Sequence, residues 1–143
     1  MKLSETRGGI NKRKKFRWIY DPEEKTLLIT NEDGKSHEYT IKEIENVLRK
    51  IEAKFGSGYF PLANNVEKLA NGSERLGLGT IILKQKPGDI YHAQGSSYFG
   101  VVMEECRYFE WNGKHRGIHW RLVDTDFNRE SVISKLIGAS RVE

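Results

Sequence analysis

A chain of 143 residues with 37% hydrophobic and 31% charged residues is long enough for one domain with its own core, and too apolar for a disordered segment. Its single cysteine, Cys106, excludes an internal disulfide and a CxxC zinc motif, and no apolar run approaches the ~18 residues of a membrane span. The formal charge of +4 comes from the start of the chain: residues 1–17 hold seven basic residues against Glu5, a net +6, and the remainder sums to −2.

This start is polar and basic with no apolar run behind it, unlike a signal peptide, and together with the lone cysteine it predicts a cytoplasmic protein. Residues 1–15 read as a basic flexible arm of the kind that lies along phosphates, ahead of a single domain over 16–143. "FRWIYD", "KTLLIT" and "SHEYT" then read as three strands, with Asp21-Pro22 and Asp33-Gly34 as their turns. Alternation puts Phe16, Trp18 and Tyr20 on one face of this meander.

Thr40 and Glu43 have the spacing of a capping box at the head of a helix. Ile41, Ile44, Leu48, Ile51 and Phe55, with Val47 beside them, give that helix a continuous apolar stripe ending before Gly56-Ser57-Gly58. The stripe suits packing on the meander or a dimer seam, which makes a homodimer a candidate assembly. "FPLANNVEKLANG" predicts a second helix, with Pro61 in its first turn and Gly72 as its stop. Residues 80–84 stay open between helix and strand: Gly77 and Gly79 weaken a helix, and the isoleucines favour a strand.

Asp89 is the expected N-cap of a helix with the stripe Gly95, Phe99, Val102, Met103 and Cys106. Its front half is polar, carrying His92, Gln94, Ser96 and Ser97; Gly95 and Gly100 either weaken it or mark close packing. In "YFEWNGKHRGIHWRLV", residues 108–123, two alternating runs form a hairpin. A wide tip over 112–117 pairs Trp111 with Ile118 and Phe109 with Trp120, and apolar pairs of this kind contribute about 0.2–1 kcal/mol each. That tip exposes Lys114, His115 and Arg116. A last helix is expected over about 127–138, capped by Asp126 or Asn128, with Val132, Ile133, Leu136 and Ile137 as its stripe and Gly138 as its stop.

Helix, Pro87-Gly88 turn, polar-fronted helix and basic-tipped hairpin follow one another in the order of a winged helix, over about residues 61–123. The expected fold is therefore α+β: a small antiparallel meander plus a long helix, followed by a helical segment and β-hairpin resembling a winged helix. The function expected first is nucleic-acid binding, double-stranded DNA ahead of RNA, regulatory or accessory and without catalysis. Lys12, Arg13, Lys14, Lys15 and Arg17 from the arm, with Lys114 and Arg116 from the tip, are the candidate backbone contacts. His92, Gln94, Ser96 and Ser97 are the candidate base contacts.

A protein-interaction or oligomeric accessory domain is the alternative, and a small metal-dependent nuclease comes third. No cofactor or metal is expected. The chain lacks a nucleophile elbow, a Walker loop and a GxGxxG fingerprint. His115 and His119 would lie ~13 Å apart on a strand rising about 3.3 Å per residue, too far to share an ion. Among the carboxylates, Glu104 and Glu105 read as a solvated helix face, and Asp124 and Asp126 as helix caps. Cys106, on an apolar stripe, reads as a core residue.

Overall fold

Alternation and turn chemistry build the first layer. In the computed structural model, which describes residues 1–141, strands β1 (Lys2–Glu5), β2 (Lys15–Asp21), β3 (Thr26–Asn31) and β4 (Ser36–Thr40) form an antiparallel sheet in the order β1-β2-β3-β4. The last two positions of the domain expected over 16–143 lie outside the described residues. The turns close through side chains: Asp21 accepts the N–H groups of Glu23 and Glu24, and Asn31 those of Asp33 and Lys35. Phe16, Trp18, Tyr20, Leu27, Ile29 and Tyr39 form the buried face.

β1 corrects the first expectation. Residues 1–15 are not a flexible arm, because Lys2 pairs with Trp18 and Ser4 with Phe16 across an antiparallel ladder. A four-residue strand whose one inward apolar-face position is a serine leaves no alternation to read. Ser4 is tolerated in the core because its hydroxyl donates to the Glu105 carboxylate at 2.5 Å.

α1 (Ile41–Phe55) starts as its cap dictates, with Thr40 Oγ1 accepting the Glu43 N–H at 3.1 Å. Only half of the capping box forms, since the Glu43 carboxylate turns inward to His92. The stripe Ile41, Ile44, Val47, Leu48 and Ile51 is buried within this chain and offers no dimer seam. Beyond it come β5 (Phe60–Pro61), α2 (Val66–Asn71), α3 (Leu78–Gln85), α4 (Ile90–Gln94), α5 (Ser96–Glu105), β6 (Phe109–Trp111) and β7 (His119–Leu122). β5, β7 and β6 form a second sheet in that order. α2 to α5 lie between the first strand of this sheet and its terminal hairpin, and the last strand, β7, lies in the middle. α6 (Arg129–Ser140) closes the structure by packing on β2 and α1. The fold is α+β, and among the described residues no helix is long and apolar enough to cross a membrane.

Several boundaries differ from the sequence reading, each for a local reason. Pro61 lies in β5 rather than in a helical turn, and α2 starts after Asn65, whose side chain accepts the Lys68 N–H at 3.0 Å. Residues 80–84 are helical. Gly79 is there for contact: a Cβ on it would lie 2.1 Å from the Ala63 carbonyl oxygen, and its N–H donates to the Leu62 carbonyl at 2.8 Å. Asp89 caps its helix by accepting the His92 N–H, but that helix breaks at Gly95 into α4 and α5.

The hairpin has the wide tip expected, with a register displaced by two residues. Trp111 faces Trp120, and Phe109 faces Leu122. Ile118 leaves the pair because its carbonyl accepts the Leu62 N–H at 3.0 Å, tying it to the segment after β5. α6 begins after Asn128 and runs through Gly138, where one glycine at about 1 kcal/mol does not outweigh the burial of Val132 and Leu136.

Candidate nucleic-acid interface

The basic residues near the start of the chain lie on two surfaces. Lys12, Arg13 and Lys14 belong to the loop joining β1 to β2, while Lys15 and Arg17 stand on the outer, solvent face of the first sheet opposite Glu5 and Leu3. The loop is built rather than slack. Thr6 N–H donates to the Lys14 carbonyl, Lys14 N–H returns the bond to Thr6 Oγ1, both at 2.9 Å, and Lys12 N–H reaches the Gly9 carbonyl at 2.8 Å.

The tip of the second hairpin, residues 112–118, is likewise held by its own polar groups. Asn112 donates its side-chain amide to the Gly117 carbonyl at 3.0 Å and accepts the Lys114 N–H at 3.2 Å. The Trp111 indole N–H donates to the Lys114 carbonyl at 3.2 Å. Gly113 and Gly117 turn the chain with φ of 77° and 67°, the left-handed region that glycine enters without strain.

These two segments meet. His115 Nδ1 lies 2.8 Å from the Arg7 carbonyl oxygen, and a carbonyl accepts, so the proton sits on Nδ1. The Arg7 guanidinium lies 5.3 Å from the centre of the Trp111 ring and holds Glu104 through two bonds, Nε at 3.1 Å and Nη2 at 2.6 Å. The bond to Glu104 raises the Arg7 pKa further above its ordinary value, against an opposing effect of burial. Arg7 is therefore a clamp rather than a free cation. Lys12, Arg13, Lys14, Lys114 and Arg116 are exposed, and none forms an ion pair with a described residue. On the other flank of His115 a cleft of about 460 Å³ is lined by Asn64, Lys68, Ser73 and Arg75. Its one carboxylate, Glu74, is occupied by the N–H groups of Asn65 and Arg75.

The candidate base contacts are placed very differently. Of the four, only Gln94 is exposed; Ser97 is half-buried. His92 and Ser96 are buried and withdrawn from that role. The cause is the position of α4 and α5, enclosed on both sides. His37 and Tyr39 of β4 crowd Gly95, where a Cβ would lie 2.2 Å from the Tyr39 hydroxyl oxygen. Trp120 of β7 crowds Gly100, where a Cβ would lie 2.4 Å from the indole ring. α5 is thus a core element between the two sheets, not an open helix face.

What encloses it is a polar cluster. The His92 ring is 2.5 Å from the Glu43 carboxylate, and the Tyr39 hydroxyl donates to the His92 carbonyl at 2.8 Å. His37 stacks on Tyr91 with ring centres 4.2 Å apart, and its buried Nδ1 has no partner among the described residues. Burial, helped by nearby His92, pulls the His37 imidazole down to about 4, while burial pushes the Tyr39 phenol well above its usual value. The cluster joins β4, α1 and α4.

The carboxylates weighed for metal chemistry are committed to structure. Glu104 accepts the Trp120 indole N–H at 2.8 Å and Glu105 the Trp18 indole N–H at 2.9 Å, so adjacent residues tie the two sheets to the end of α5. That corrects the reading of Glu104 and Glu105 as a solvated face. Asp124 pairs with Lys135, which lowers its pKa. Among the described residues no group of three or more His, Cys, Asp or Glu is arranged to hold a metal ion. Sequence reasoning missed Arg7, Glu104 and Trp111 as organisers of the surface, because their partners lie about a hundred residues away. Comparison of the chain with protein-family models, curated proteins and solved structures finds no match.

Proposed function

We propose that this protein binds nucleic acid, double-stranded DNA in preference to RNA, through the phosphate backbone, as an accessory or regulatory factor without catalysis. One observation carries the reading: the His115–Arg7 contact joins two basic segments 108 residues apart into one surface of unneutralised cations. Phosphate is the ligand such a surface attracts, and sequence discrimination by α5 is not part of the proposal. DNA is preferred because Tyr91, one of the exposed aromatic residues, is already stacked on His37 and bonded to the Ser36 carbonyl, which leaves it little face for unstacked RNA bases. A cytoplasmic setting belongs to the proposal, supported by the lone, buried thiol of Cys106.

The test is fluorescence anisotropy with a labelled 20-bp duplex across a salt series. Five phosphate contacts correspond to a slope of log K on log salt near about −4.5, at roughly −0.9 per contact. K12A/R13A/K14A is expected to flatten it by about 2.7 and K114A/R116A by about 1.8. No binding at low salt, or a slope that neither set changes, refutes the reading. The second reading, a protein-interaction or homodimeric accessory domain, is favoured by one feature. The outer face of the first sheet leaves Leu3 49% and Ile19 38% exposed beside Arg17.

A further inference from the structure

We infer that Ile10 is a wedge that enters the minor groove of a bound duplex and bends it; this rests on the nucleic-acid reading above. Ile10 is 88% exposed, the most exposed of the large apolar side chains among the described residues. A scattered half-exposed apolar residue is ordinary, but this one stands at the crest of a turn. Gly8 and Gly9 precede it, Lys12, Arg13 and Lys14 follow, and the turn is closed behind it by the Lys12–Gly9 and Thr6–Lys14 bonds. The side chain is thus presented on a fixed support and is not the end of a loose tail.

Its chemistry fits the role. A β-branched side chain has few rotamers, so isoleucine is stiff and loses little freedom on insertion. Proteins that bend DNA from the minor groove combine flanking cations on the phosphates with an apolar residue pushed between base pairs. Here five exposed cations accompany it, three in the same loop and two, Lys114 and Arg116, on the adjoining hairpin tip that His115 ties to Arg7. α5 itself is occluded and is not offered to a groove. Anionic membrane is the competing occupant for an apolar tip among lysines, but one isoleucine is a small anchor beside the two signals that stable membrane attachment needs.

The experiment uses the full chain and a 30-bp duplex labelled at its two ends with a donor and an acceptor, read by anisotropy for binding and by energy transfer for end-to-end distance. Pyrimidine–purine steps at the centre favour kinking. Wild type is expected to bind and raise transfer. I10S is expected to bind with the same salt slope, roughly tenfold more weakly, and to leave transfer at the value of free DNA; I10L is expected to restore both. Binding without a rise in transfer, or an I10S variant that bends as wild type does, overturns the wedge and leaves the nucleic-acid reading standing. No anisotropy change at low salt removes both. Ile10-dependent sedimentation with phosphatidylserine vesicles, without DNA binding, overturns the wedge in favour of a membrane.

Discussion

Glu104 is the residue on which the surface depends most, and its removal has a calculable cost. Its Oε1 accepts the indole N–H of Trp120, a side chain only 1% exposed, and its two oxygens hold Arg7, which is itself partly open to solvent. E104A leaves the Trp120 N–H buried without an acceptor, at about 1–3 kcal/mol. The ion pair with Arg7, 25% and 17% exposed on its two sides, adds up to about 1 kcal/mol after screening. The sum is about 1–4 kcal/mol, or a fall in Tm of roughly 3–12 °C at about 3 °C per kcal/mol for a chain of this size. E104Q keeps an oxygen for the indole and loses only the charge, so it is expected to cost about 1 kcal/mol. Urea unfolding followed by tryptophan emission measures both, and the R7A/E104A double-mutant cycle isolates the pair. If E104A lies within 0.5 kcal/mol of wild type, or if E104Q is as damaging as E104A, the assignment of the Trp120 bond is wrong.

Gly100→Ala places a methyl group against the Trp120 ring and is expected to destabilise by about 1–3 kcal/mol, read in the same urea titration. His37 stays neutral in the fold down to about pH 4, whereas the unfolded chain protonates near 6.5. Stability is therefore complete above pH 6.5 and falls between 6.5 and 4 by up to ~1.4 kcal/mol per pH unit; H37F should flatten this part of a stability-against-pH curve. Burial pushes the Cys106 thiol up to about 12, so the native protein should resist a thiol reagent at pH 8 and react fully in denaturant.

What could be read from the sequence followed the range of the interaction concerned. The meander, α1 and the Asp89 cap depend on residues within a turn or a strand of one another, and alternation, an apolar stripe and capping side chains report them directly. The ambiguity at residues 80–84 had a different origin. Gly77 and Gly79 look like helix breakers until Pro61 and Ala63 are found against them, and those contacts come from tertiary packing. β1 was illegible because Ser4 satisfies its buried position through Glu105, 101 residues away. The same holds for the candidate interface. Exposed lysines and arginines can be counted along the chain, but their union depends on His115 reaching Arg7, and the loss of His92 and Ser96 as surface residues depends on a sheet contributed by the first 40 residues.

The contacts of the first seven residues set an order of events in synthesis. Ser4 and Arg7 bond to Glu105 and Glu104, and the Arg7 carbonyl to His115, at separations of 101, 97 and 108 residues. At about 5–20 residues per second, Ser4 and Arg7 leave the ribosome roughly 5–20 s before these distant partners exist. β1, β2, β3 and β4 pair with near neighbours and need not wait, but contacts this distant pay loop-closure entropy and form late. The two basic segments accordingly stay apart until the hairpin that carries His115 has been made.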